Sequence, residues 1–406
     1  MEIIKIAWRN IWRNKRRTLI TASSLMFAVI FGVSMRSMQL GTYDNMIDGA
    51  VRQYSGFIQI QDTSYWNDKT IDDLMPNSPE LRSKITEIKD VNSVLPRLES
   101  FALISSGSKT KGAFLQGIDP LVDTQMTGIA DKVVKGKFLE VGDDGFIIGQ
   151  RLAAFLGINV GDTIVLISQG YHGVTAANIF PIKGIVKIPN PALDKVLLIG
   201  DIGTVQEFYS AEGMLTSLVV NIKDKNSIDE IIPQINKIMN DKSLIVLSWT
   251  DMNKELKQQI ESDNGGGIIM LIILYSVVFF GILGTIIMMT AERKKEFAVM
   301  VALGMQKKYL SAIVLLETIF LGMIGAIVGA LVSSGIVWYF HDSPIHITGE
   351  MAGIYEQFGI EPVLMFSTDW TIIQAQFIVV FSLLILAVIY PMIKISTFKI
   401  IESMHS

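Results

Sequence analysis

The chain has 406 residues, of which 50% are hydrophobic and only 18% charged, with a mean hydropathy of +0.42; soluble domains carry roughly a quarter charged residues. The absence of cysteine excludes a disulfide scaffold, a thiolate zinc site and a thiol nucleophile. A net charge of −4 offers no basic footprint for nucleic acid. Such a composition belongs to a membrane protein if the apolar residues cluster, and they do.

Residues 1–17 form an amphipathic lead-in. Ile3, Ile4, Ala7, Trp8, Ile11 and Trp12 recur at helical spacing, with Lys5, Arg9 and Arg13 opposite. Two tryptophans over a basic face suit a helix in the membrane interface, and a simple positive anchor is the alternative. The first span covers 18–40, with an uncharged core from Thr18 to Met35. A secretory signal peptide would share this basic-then-apolar order, but no small-residue cleavage site follows the run.

Residues 41–266 read as one α+β insert with its own core. Ser78-Pro79 starts a helix by N-cap and N1 chemistry, and Leu81, Ile85 and Ile88 are its apolar stripe. Strand-like runs follow at Val91 to Leu95 and Phe101 to Ile104. Near the end, Ile228, Ile231, Ile232, Ile235 and Ile238 line a helix before a strand at Leu244 to Leu247. The two helix–strand units suggest a pseudo-repeated module. Between them lie strands at Gly145 to Gly149, Thr163 to Ile167, Phe180 to Val186 and Lys195 to Ile199, and a helix at Gln150 to Phe155. Ser168 to Asn178 reads as a long polar hairpin tip, either a projection or a disordered arm. Asp251 to Asp263 reads as a polar helix leading through Gly265-Gly266-Gly267, either a stalk that bends at the glycines or a plain linker.

The remaining spans are 267–290, 309–340 and 370–392, separated by 291–308 and 341–369 and followed by the tail 393–406. The 291–308 loop carries Arg293, Lys294, Lys295, Lys307 and Lys308, and the tail carries Lys394 and Lys399, whereas 341–369 has no lysine or arginine. The positive-inside rule then places both termini and the 291–308 loop in the cytoplasm and the insert outside. Glu317 is the one charged residue of the third span. A mid-bilayer charge costs roughly 2.5–3.5 kcal/mol on insertion scales, so it makes a polar contact that couples the loop to the spans or anchors at the interface. Gly322, Gly325 and Gly329 allow close helix packing, within one subunit or across a dimer.

No phosphate-binding loop, paired-histidine metal spacing or serine elbow occurs; Gly107 to Gly112 has the wrong spacing for a nucleotide loop and reads as a hairpin turn. The chain is not expected to hydrolyse ATP. The expected fold is a membrane α-helical protein of four transmembrane helices, with a large extracytoplasmic α+β domain inserted between helices one and two.

The segment Glu292 to Gly304, ERKKEFAVMVALG, followed by Glu317 and GMIGAIVGALVSSG, resembles the ABC-transporter permeases of the FtsX/MacB/LolC–LolE superfamily. Val301 stands where that family often has a basic residue. Ala7-Trp8-Arg9-Asn10 with Arg16 to Leu19 is similar to its lead-in, GFIIGQRLAAFLGINVGDTIVL to its periplasmic core domain, and Tyr390-Pro391 to Glu402 to its ending without the second proline. The resemblance implies a permease of a bacterial inner membrane that dimerises as a homodimer or related heterodimer and recruits cytoplasmic ABC ATPase subunits. These would bind ATP and Mg, leaving no cofactor in this chain. It implies that Glu292, Arg293, Lys294, Lys295, Glu296 and Gly304 form the coupling helix of a mechanotransmission machine. The insert is most similar to the lipoprotein-releasing LolC/LolE type. In that type an arm, here around Tyr171, His172 and Gly173, engages a periplasmic lipoprotein carrier, and lipid enters a dimer cleft, here Phe27, Phe31, Ile272 and Phe279. The other implied reading is a MacB- or FtsX-like permease that transmits force to an efflux, peptide-resistance or envelope partner.

Overall fold

In the computed structural model the described residues are 2–13, 15–188, 190–239, 241, 243–357 and 361–396; Lys399 and Glu402 of the tail lie outside them. Four helices are long and apolar enough to cross a membrane. They are the first span helix Lys15–Ile47, the second Lys254–Glu292, the third Lys307–Asp342 and the fourth Trp370–Ser396. With the lead-in helix Glu2–Arg13 and a short loop helix Lys294–Ala302 they make one compact unit, Met1–Tyr43 with Ile260–His346 and Val363–Ser406.

The third span packs against both the first and the fourth. A Cβ on Gly325 would lie 2.6 Å from the Ala22 carbonyl oxygen and 2.7 Å from Leu25 Cβ, and one on Gly329 would lie 2.8 Å from Met26 O. A Cβ on Gly322 would collide with Leu384 of the fourth span. The glycines therefore serve packing within this chain, where only a bare backbone lets the helices approach so closely. Around this contact Leu25, Val29, Val33, Leu271, Ile282, Ala326, Val380 and Leu384 form the bundle core. At the end where the chain leaves for the insert, Arg36 donates to Asn264 at 2.6 Å and Tyr43 to Asp263 at 2.5 Å, joining the first and second spans.

The second span differs from the stalk-and-hinge expectation. Its helix begins at Lys254 and runs unbroken through Gly265, Gly266 and Gly267 to Glu292. Glycine weakens a helix by roughly 1 kcal/mol relative to alanine, but Gly267 sits against the Gln39 side chain, whose place a Cβ would take.

The second unit comprises Asp44–Gln259 with Ile347–Pro362. One part of it is a four-stranded antiparallel sheet in the order Leu244–Ser248, Ile58–Asp62, Ser217–Ile222, Val91–Ser106. Two helices, Pro79–Thr86 and Ile228–Ile238, bury Ile85, Ile231 and Ile235 in one core with Ile58, Ile60, Leu218 and Val220. The two helix–strand units at the ends of the insert are thus the halves of one β-α-β-β-α-β layer. Ser78 caps the first helix by accepting from Leu81 N–H.

The strand Val91–Ser106 continues past this sheet into a second structure. From Leu98 onward it pairs with Lys109–Ile118 across the Gly107-Ser108 turn. The path then runs through Leu197–Asp201, Phe146–Gly149, Thr175–Val186 and Thr163–Gln169 and back to Val91–Ser106, closing a six-stranded barrel. Ile104, Leu115, Phe146, Ile148, Leu166, Phe180 and Leu198 fill its interior. The hairpin tip is shorter than Ser168 to Asn178. The ladder extends to Gln169↔Thr175 because Ala176, only 3% exposed, continues the inward alternation, and only Gly170 to Val174 is left to turn.

Where the long strand leaves the sheet for the barrel, a buried polar network replaces apolar packing. Arg97, 1% exposed, donates to Asp123 at 2.8 Å, and Gln116 donates to the Glu99 carboxylate at 2.8 Å. Burial pushes the Glu99 carboxyl above its ordinary range, against the pull of Arg97 and the Gln116 hydrogen bond.

Candidate functional site

The charged residues of the bundle unit meet at the end away from the insert connections. The loop helix there is short and amphipathic. Phe297 and Ala298 are buried, and Phe297 joins Leu310, Val314, Val388 and Ile395 in a small apolar cluster beneath the helix. Lys295, Val299 and Leu303 share the opposite stripe at i, i+4, i+8, and Val299 is 54% and Leu303 83% exposed. Gly304 ends the helix at φ +97°, a left-handed turn that suits glycine alone.

Arg293, which precedes this helix, reaches back to the third span. Its Nη1 donates to both Glu317 oxygens at 2.8 and 2.6 Å, and its guanidinium lies 5.1 Å from the Phe297 ring centroid. Glu317 is 4% exposed and accepts a further bond from Asn10 Nδ2 of the lead-in helix at 2.6 Å. One carboxylate therefore ties together the lead-in helix, the loop and the third span. The desolvation of such a pair is tolerable only because its lone pairs are satisfied.

Two exposed ion pairs surround it. Arg13 donates to both oxygens of Glu296 at 2.8 and 2.6 Å, and Arg17 pairs with Glu292. The Arg13 hydrogen bond holds the Glu296 carboxyl below the usual carboxylate range. Exposed pairs contribute about 0–1 kcal/mol each, so their value here is orientation of the loop helix. The lead-in helix buries Ala7 and Ile11, and Trp8 stacks edge-on against Phe320 of the third span at 5.6 Å.

Of the residues singled out from sequence, Glu292, Arg293 and Glu296 join this network with Glu317. Lys295 is exposed and Lys294 half-buried beside it. Phe27, Phe31 and Ile272 are exposed on the bundle, at 53%, 61% and 58%, while Phe279 is partly buried against the core. In the second unit, His172 has a left-handed φ of 56°, stacks on Tyr171 at 3.8 Å and donates its backbone N–H to Asp72 at 2.6 Å. Gly173 turns the chain beside it at φ +78°. Among the described residues no three His, Asp or Glu side chains group as a metal ion requires. Sequence reasoning passed over Asn10 as a ligand of Glu317 and the exposed Val299/Leu303 pair. The second was detectable as two apolar residues four apart in a loop otherwise rich in charge.

Comparison with known proteins identifies the family of the chain. The family model of the MacB-like periplasmic core domain matches residues 18–238, and that of the FtsX-like permease C-terminal region matches residues 268–400. The chain belongs to the FtsX/MacB family of ABC-transporter permeases. The lipoprotein-releasing system transmembrane protein LolC of Neisseria meningitidis serogroup B is 22% identical to it, over 62% of this chain and 62% of that protein. LolE of Haemophilus influenzae is 21% identical over 61% of each. An uncharacterized ABC transporter permease of Methanocaldococcus jannaschii is 22% identical over 81% of this chain and 82% of its own. The match thus spans about three fifths of the length of these Lol relatives. Among solved structures, the periplasmic region of MacB from Actinobacillus actinomycetemcomitans covers 53% of this chain and 95% of its own, at 16% identity and a TM-score of 0.37. The permease is a multi-pass membrane protein with a periplasmic domain.

Proposed function

We propose that this permease transmits ATP-driven movement from cytoplasmic ATPase subunits to its periplasmic domain, and that the work it performs is release of lipoproteins from the inner membrane. The observation that carries the reading is the Arg293–Glu317–Asn10 contact. The loop helix Lys294–Ala302 presents Lys295, Val299 and Leu303 to an ATPase groove, and Arg293 and Glu317 pass its displacement to the third span. Both termini are then cytoplasmic, and ATP and Mg are held by the ATPase. Two copies, or this chain and a related one, pair so that Phe27, Phe31, Ile272 and Phe279 border a cleft for the lipid anchor. The tip at Tyr171, His172 and Gly173 is the contact for a periplasmic carrier.

The lipoprotein assignment rests on the similarity to LolC and LolE. A second reading, force transmission to an efflux, peptide-resistance or envelope partner, is favoured by the match of the insert to the MacB-like domain. Depletion of the chain followed by fractionation of the envelope separates the two. Lipoproteins retained in the inner membrane support the first, and normal sorting sinks it.

A further inference from the structure

At the end of the bundle from which the chain leaves for the insert, a cavity of about 340 Å³ opens between the first, third and fourth spans. Its lining belongs wholly to the bundle unit, and its size falls at the lower end of the roughly 300–1,000 Å³ of ligand pockets. Val33, Val337, Ile372 and Ile373 form apolar walls, and the exposed Trp338, Trp370 and Asp369 form the rim. Gly335 leaves room on the third span, since a Cβ there would meet nothing within 4 Å. Asp369 starts the fourth-span helix by accepting from the Thr371 N–H at 2.9 Å. The Thr371 backbone and hydroxyl hold the Asp369 carboxyl below the usual carboxylate range, so it is charged at neutral pH. Among the described lining residues there is no lysine or arginine. Arg36 of the first span is turned to Asn264 and Gln39, and the His341 ring is bonded to the Phe366 carbonyl.

We propose that this cavity holds one phosphatidylethanolamine molecule, its ammonium at Asp369 between the two indoles and the upper part of an acyl chain along Val33, Val337 and Ile373. The argument is one of level and charge. Two membrane-crossing helices end and a third begins at this height, and two tryptophans mark it as the boundary between hydrocarbon and headgroups. Apolar walls at that boundary are covered by lipid in preference to water. A carboxylate without a lysine or arginine beside it disfavours an anionic headgroup and attracts an ammonium. The indole faces attract the same cation. An ethanolamine N–H can donate to Asp369, whereas a choline headgroup has no N–H to give, which separates the two zwitterionic lipids. The site stands independently of the lipoprotein reading.

The test uses the purified full chain in a neutral detergent. Phosphatidylethanolamine, phosphatidylcholine or phosphatidylglycerol with identical palmitoyl-oleoyl chains is added, and bound lipid is counted by native mass spectrometry. The expected result is one tightly held lipid, with phosphatidylethanolamine preferred over phosphatidylcholine by about fivefold and phosphatidylglycerol weakest. Asp369→Asn keeps the helix cap, because asparagine caps as well as aspartate, and should bring the ethanolamine–choline preference near parity. Asp342→Asn removes a carboxylate at the end of the third span, outside the lining, and should leave the preference intact. Gly335→Leu fills the cavity and should abolish the tight site for every headgroup, while Gly284→Leu, at a similarly open glycine of the second span, should not. Equal binding of the three lipids by the wild type, or a preference undiminished in Asp369→Asn, would overturn the proposal. So would Gly335→Leu weakening self-association while lipid binding persists, which would assign the cavity to a second copy of the chain.

Discussion

Two carboxylate–guanidinium pairs, Arg97–Asp123 in the periplasmic domain and Arg293–Glu317 in the bundle, differ in contact: Arg97 meets the two Asp123 oxygens through Nε and Nη2, whereas Arg293 sends Nη1 alone to both Glu317 oxygens. The Arg97 and Asp123 side chains are 1% and 3% exposed, on a strand and a helix of the same domain. Arg293 keeps 14% of its side chain exposed, and its partner Glu317 also accepts from Asn10, so the loop, the third span and the lead-in helix meet at one carboxylate. The first pair acts as a staple: its charges have nowhere to go. In the proposed function the second is a link, with Arg293 near enough to water to be released if the loop helix is displaced. A buried ion pair says little about function until the elements it connects are named.

The contrast predicts unequal losses. Asp123→Ala removes the nearest carboxylate of the buried Arg97 and should cost about 3–5 kcal/mol, seen as loss of hydrogen-exchange protection across Val91–Ser106 in the full chain; unchanged protection would remove the staple. Glu317→Ala should cost less, about 1–3 kcal/mol, since Arg293 regains solvent. Its larger effect should be on transport, with Glu317→Asp restoring part of it. Gly325→Val puts a side chain against the Ala22 carbonyl and should destabilise the bundle by about 1–3 kcal/mol, read as a lowered unfolding temperature in detergent; an unshifted transition would refute the close packing.

The pH dependence separates the two regions further. Glu99 has its folded pKa raised by burial, so its contribution is fully present below the unfolded value and is lost as pH rises through the folded one. Glu99→Gln should therefore unfold at a higher temperature than the wild type at neutral pH, with the gap closing toward pH ~4. A constant gap would contradict the sign. The smallest structural effect belongs to Leu303→Asp. At 83% exposure it should change stability by less than about 0.5 kcal/mol yet abolish co-purification of the ATPase.

The bundle was legible because a bilayer imposes its length on any helix that crosses it, and the glycines of the third span announce close packing by their spacing. The insert was legible in pieces. Ser78-Pro79 marked a helix start, but Asp119-Pro120 and Asn190-Pro191, which cap their helices by the same chemistry, were passed over. The closure of the barrel could not be read, because it depends on parallel pairings between strands far apart in sequence, such as Lys109–Ile118 with Leu197–Asp201. At the site, the charges of the loop and Glu317 stood out, while the role of Asn10 did not. A neutral side chain facing a partner 307 positions away leaves no local pattern.

The account turns on Arg293 and Glu317 as the link between the loop helix and the spans. Its most direct measurement compares Glu317→Gln with Leu303→Asp in the permease reconstituted with its ATPase, following ATPase binding and lipoprotein release together. The account predicts that Glu317→Gln binds the ATPase with wild-type affinity and loses release, while Leu303→Asp loses both. Release at the wild-type rate by Glu317→Gln would contradict it.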